Sequence, residues 1–112
     1  VQELNKLKKA GLIDQQQWQK FYFELDNIIR AYLTYAFDFD LLDKTYEELK
    51  QERQNLEAKL GQATFKNLNR FWRHADLVKF AKQSSEAGLA SENMEMVEQL
   101  VAATKGLIEQ KP

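Results

Sequence analysis

FYFELDNIIRAYLTYAF, residues 21–37, is the stretch on which the fold turns. Phe21, Leu25, Ile28, Ile29, Tyr32, Leu33 and Phe37 recur at i, i+3, i+4 spacing, which predicts a long helix with an apolar face broad enough to be nearly enclosed. Such a helix requires other helices around it. Arg30 falls inside the run, and a guanidinium held in apolar surroundings must meet a carboxylate or backbone acceptors, because an unpaired buried charge is very costly. Asp76 and Glu48 are the expected acidic partners. Arg30 then reads either as half of a salt bridge tying two helices or as an anchor for a binding partner.

The flanking residues place the remaining elements. Leu4 and Leu7 among lysines predict a short first helix ending at Gly11, and Asp14 is the expected N-cap of a helix over about residues 15–37. The segment FDFDLLDK, residues 37–44, sets three aspartates between apolar residues and predicts a turn with its hydrophobes tucked inward. Thr45 with Glu48 three residues on has the form of a capping box, so a helix is expected to start at Tyr46. It carries Leu49 inward and continues as a charged, solvated tail in which Leu49, Leu56 and Leu60 are spaced like a heptad. A second core helix is expected from Thr64, with Phe65, Leu68, Phe71, Trp72 and Ala75, then Leu77, Val78 and Phe80. Residues 83–90 read as a linker, and Ser91 as the cap of a last helix whose inner face is Met94, Val97, Leu100, Val101, Thr104, Leu107 and Ile108. The expected architecture is all-α, a compact bundle of four to five helices in one domain over residues 1–112.

Composition narrows the function classes. Sixteen basic against seventeen acidic residues leave a net charge of −1, unlike a dedicated nucleic-acid binder. There is no cysteine, so neither a disulfide framework nor a thiolate metal site can form. No run approaches the roughly twenty apolar residues of a membrane span, and the first eleven residues lack the apolar core of a signal peptide.

Three constellations carry a chemical reading. Asp38, Asp40 and Asp43 have calcium-loop spacing, but Asp43 stands where the turn glycine belongs and Leu49 where the bidentate glutamate belongs, so no metal is expected. His74, the only histidine, with Asp76 allows a His–Asp pair, yet no nucleophile motif or phosphate loop accompanies it, and the chain is expected not to be an enzyme and to need no cofactor. Lys66, Arg70, Arg73, Lys79 and Lys82 interleave with Phe71, Trp72 and Phe80, the residue mix of a nucleic-acid surface; helical phase sends bases and most aromatics to opposite faces. Trp18, Tyr22, Tyr35 and Tyr46 are among thirteen aromatic residues, enough for some to form an exposed protein-binding patch.

Two blocks, FYFELDNIIRAYLTYAF and the LNRFWRHADLVKFAK of residues 68–82, resemble the cytoplasmic helical domain of bacterial Bat-type (BatD-like) membrane proteins and a related uncharacterised family. The likeness runs from Leu4 to about Leu107. It rests on Leu25, Ile29, Arg30, Tyr32 and Leu33, on Thr45 and Glu48, and above all on the ADLVKFA string of residues 75–81. Ala36 stands where that pattern has a basic residue and Asp38 where glycine is frequent. The resemblance implies a non-enzymatic adaptor that partners a MoxR-type AAA+ ATPase or a von Willebrand factor A protein. It further implies a place on the cytoplasmic face of the bacterial inner membrane, as a soluble fragment whose anchor lies outside this chain; a plain cytoplasmic location is the alternative. Candidate partner-binding or signature residues are Arg30, Tyr32, Trp72, Arg73, Asp76, Lys79 and Phe80. The competing readings are a self-association module built on the spaced leucines, giving a homo-oligomer, and a nucleic-acid-binding helical domain.

Overall fold

In a computed structural model, which describes residues 2–109 and the side chains of residues 3–105, the chain is all-α. Six helices follow one another among the described residues: α1 (Gln2–Lys9), α2 (Trp18–Phe37), α3 (Tyr46–Gln51), α4 (Arg53–Leu60), α5 (Gln62–Phe80) and α6 (Ala87–Glu109). The count exceeds the expected four to five because the helix foreseen from Tyr46 onward is two. At Glu52 the backbone turns through φ −85°, ψ 6°, and the Glu52 amide donates to Leu49 O, so α3 ends and α4 restarts at a new angle. Neither glycine nor proline marks that point. The bend lets both short helices lie against α5, to which α3 is also fastened by Tyr46 Oη donating to Asn69 Oδ1 at 3.1 Å.

α2 and α5 form the central pair, with α1 and α6 packed on α2. Their facing side chains, among them Phe21, Tyr22, Leu25, Ile29, Leu33, Leu68, Phe71 and Val78, belong to one continuous buried cluster that also takes in Leu4, Leu7, Leu41, Met94 and Val97. Every member of the predicted inner face of α2 is buried or packed against that cluster. On α6 the prediction holds for Met94, Val97, Leu100, Val101 and Thr104, while the side chains of Leu107 and Ile108 lie outside the described residues. On α5 it fails at its C-terminal end, where Leu77 and Phe80 face outward.

Helix boundaries were less well foreseen. α2 does not begin after Asp14: Gln16 adopts the left-handed region (φ 57°) and Gln17 N donates to Leu12 O, closing a turn that buries Leu12 before the helix starts at Trp18. At the other end Asp38 takes the left-handed cap (φ 59°), its amide donating to Thr34 O at 3.0 Å. Aspartate is one of the few residues besides glycine that tolerate this conformation, so the departure from glycine preserves the turn. The capping box at Thr45 and Glu48 forms as predicted, with Glu48 N donating to Thr45 Oγ1 and Thr45 N to Glu48 Oε1. Gly61 opens α5 at φ 88°, ψ 158°, a conformation essentially confined to glycine. α6 begins a turn before Ser91, since Ala90 N already donates to Glu86 O. Among the described residues no helix is long and apolar enough to cross a membrane.

The expected solvated tail is not one, because Leu56 is fully buried against α5. Leu56→Ala should therefore cost about 2–5 kcal/mol, the range for deleting a buried leucine side chain. Urea unfolding of the pair checks it, and a loss below about 0.5 kcal/mol would mean that α4 does not pack as described.

Candidate interaction site

Asp26 lies on the face of α2 turned toward α5 and is 2% exposed. Its Oδ1 accepts from Arg30 Nε at 2.9 Å, one helical turn along, and its Oδ2 accepts from Lys79 Nζ of α5 at 2.7 Å. Arg30 Nη1 donates onward to the carbonyls of Leu41 (3.1 Å) and Lys44, in the connection between α2 and α3. One carboxylate thus holds two helices and a loop. The partner of Arg30 is Asp26, and neither Asp76 nor Glu48 fills that place: Glu48 belongs to the capping box, and Asp76 makes no hydrogen bond or ion pair among the described residues. The i, i+4 spacing of Asp26 and Arg30 was the available signal, masked by the expectation of a partner on another helix.

Over this charge cluster sit Phe23 and Phe80. Their rings meet edge to face at 5.8 Å, and Lys79 Nζ lies 4.9 Å from the centroid of Phe23 and 5.2 Å from that of Phe80. The ammonium is sandwiched by cation–π contacts and shielded from water, which strengthens its attraction to Asp26. The outer surfaces of both rings nevertheless remain open, Phe80 at 69% and Phe23 at 44%, and Leu42 across from them at 47%. Together with Asp43, Tyr46 and Asp76 these side chains line a groove of about 490 Å³. A larger depression of about 610 Å³ lies between α1 and α6, but it gathers none of the exposed large hydrophobic residues.

The seven residues singled out from sequence do not converge. Arg30, Asp76, Lys79 and Phe80 line the groove. Tyr32 is on the opposite side of the core, its hydroxyl 2.6 Å from Thr104 Oγ1 and 3.3 Å from Val101 O, pinning α6 to α2. Trp72 is buried, with its Nε1 lacking a protein acceptor, and so offers no surface. Arg73 is exposed on α5, seven residues before Phe80 and so on the same helical stripe. Phe23 and Leu42, which complete the groove, were missed. Phe23 sits out of phase with the apolar face of α2, and that phase error was the one signal for it.

The burial of Phe71 and Trp72 leaves Phe80 as the one exposed ring of the basic and aromatic set on α5, and Lys79 of that set is paired with Asp26. Leu49 and Leu56 are likewise buried in the chain's own core, so the heptad-like leucines form no open seam. Among the described residues no group of three or more histidine, aspartate or glutamate side chains could hold a metal ion.

His74 is half-buried and its partner is Ser85, not Asp76. Asn93 Nδ2 donates to Tyr22 Oη at 2.9 Å, Tyr22 Oη lies 3.2 Å from Ser85 Oγ, and Ser85 Oγ lies 3.1 Å from His74 Nε2. The Asn93 amide nitrogen donates to Tyr22 Oη, while the Tyr22–Ser85 and Ser85–His74 bonds run in the direction set by the tautomer of the ring. A serine hydroxyl bonded to histidine resembles an activated nucleophile. Among the described residues no carboxylate supports the other ring nitrogen, however, and Ser85 Oγ is also bonded to Tyr22, so the cluster braces the α5–α6 connection against α2. Burial pushes the His74 pKa below its usual 6.5. It also pushes the Tyr22 pKa up, against the opposing hydrogen bonds from Ser85 and Asn93.

No family model, curated protein or solved structure matches the chain.

Two predictions follow from these geometries. Asp26→Asn, which leaves two buried cations without an anion, should cost about 3–5 kcal/mol. Arg30→Met should cost less, since Asp26 keeps Lys79, and Lys79→Met least, since a methionine still fills the space between the rings; chemical denaturation that reverses this order would rule out Asp26 as the hub. The only histidine sets the second. Because its folded pKa is lowered, the unfolded chain takes up a proton first as pH falls, so unfolding free energy should decline from pH 6.5 down to the folded pKa and then level off. His74→Gln should flatten that slope.

Proposed function

We propose that this chain is a non-catalytic protein-interaction domain, an adaptor in a membrane-associated system of a MoxR-type AAA+ ATPase and von Willebrand factor A proteins. The observation that carries the reading is the groove, where Phe23, Leu42 and Phe80 stay open to solvent beside a charge cluster whose hydrogen bonds are made within the chain. Large apolar side chains gathered at one exposed place favour a protein partner, and exposed aromatics are the usual anchors of such contacts. Asp76, Lys79 and Phe80 of the groove belong to the ADLVKFA string on which the resemblance to the Bat-type domain rests, and that resemblance supplies the class of partner. The remaining signature residues, Leu25, Ile29, Arg30, Tyr32 and Leu33, build and brace the helices that present it. An anchor outside this chain would hold the domain at the cytoplasmic face of the inner membrane.

The test is affinity capture from bacterial lysate on immobilised domain, with ATP or ADP added and the retained proteins identified by mass spectrometry. Retention of a MoxR-type ATPase or a von Willebrand factor A protein is expected, stronger in one nucleotide state. Capture of neither in either state would sink the adaptor reading.

A further inference from the structure

Two carboxylates on the lining of the groove, Asp43 and Asp76, are left unpaired among the described residues, and they indicate what it binds. Its floor is satisfied internally: the donors of Arg30 and Lys79 point at Asp26 and at two carbonyls, and both cations are 10% exposed. The wall beyond is different. Residues 38–48, the connection from α2 and the first turn of α3, carry Asp38, Asp40, Asp43, Glu47 and Glu48 against Lys44; of these Asp43 and Lys44 line the groove, and Glu47 is paired with Lys50. Glu48 is held in the capping box with Thr45, while the side chains of Asp43 on the rim and Asp76 across the groove make no hydrogen bond or ion pair among the described residues.

We propose that the groove takes a basic, apolar segment of another protein, a short stretch in which arginine or lysine alternates with large hydrophobic side chains. The proposal rests on the adaptor reading and narrows it to the chemistry of the docked segment. Apolar side chains of the visitor pack on Phe80, Phe23 and Leu42, and its cations meet Asp43 and Asp76, which have no competing partner among the described residues. Complementary charge of this kind steers association and rejects acidic competitors more than it adds affinity. An arginine also stacks on the open face of Phe80, where its aliphatic stem and planar head both find contact.

The experiment uses the 112-residue chain and three fluorescent peptides with the same leucine and phenylalanine positions. Arginine, glutamate or serine fills the intervening places. Binding is read by anisotropy and mapped by amide shifts in NMR. The arginine peptide should bind, shifting residues around Phe23, Leu42, Asp76 and Phe80, and the glutamate peptide should not. High salt should weaken the complex, because the rim charges are exposed and screened. Phe80→Ser and Asp43→Lys, both at exposed positions, should each weaken it about five- to ten-fold with helical circular dichroism unchanged. Equal binding of the glutamate peptide, shifts confined to another face, or no binding of the arginine peptide would each overturn the proposal. So would a concentration-dependent dimer abolished by Phe80→Ser, since a second copy would then own the groove. Lysate capture that persists unchanged in Phe80→Ser and Asp43→Lys would leave the adaptor reading standing while removing this site from it.

Discussion

A single buried carboxylate organises this molecule. Asp26 accepts one cation from its own helix and one from α5, and the first of these reaches on to two carbonyls of the connection that follows α2. Burying three charges is expensive, and replacing such a cluster with hydrophobic residues commonly costs nothing in stability. What the arrangement provides is direction. Apolar contacts between α2 and α5 tolerate sliding and rotation, whereas paired charges with defined geometry fix one register of the two helices and one course of the loop.

The same requirement accounts for the aromatic surface. A buried ion pair holds only if water is kept from it, and Phe23 and Phe80 cover Lys79 on either side. The rings cover it while remaining largely exposed themselves. The exposed patch is thus partly a consequence of protecting the charge cluster, and the acidic loop beside it turns that consequence into a surface with both apolar and electrostatic character.

On the far side of α2 the contacts are of another kind. Tyr22 and Tyr32 bury their rings in the core and use their hydroxyls to catch the α5–α6 connection, through Ser85 and His74, and α6 itself, through Thr104. Little of this was legible beforehand. Tyr32 and His74 were marked as notable, but hydroxyl and amide partners such as Ser85, Asn93 and Thr104 occur everywhere in sequences, and only distance selects the ones that matter. Asp26 escaped notice for a related reason: in sequence it is an ordinary polar residue on a helix, and its burial depends on how closely α5 approaches.

By itself the sequence determined the helical class, the inner faces of α2, of most of α5 and of α6 as far as Thr104, the turn after Phe37 and the start of α3. These depend on periodicity and on capping chemistry within four residues, which are local and therefore readable. Tertiary structure alone decided the break at Glu52, the inward place of Leu56, the outward turn of Leu77 and Phe80, and the convergence of Phe23, Leu42, Asp76 and Phe80 on one groove. Each of these depends on where a second helix lies, and that is set by the packing of the whole core around Asp26, an outcome that no window of neighbouring residues contains.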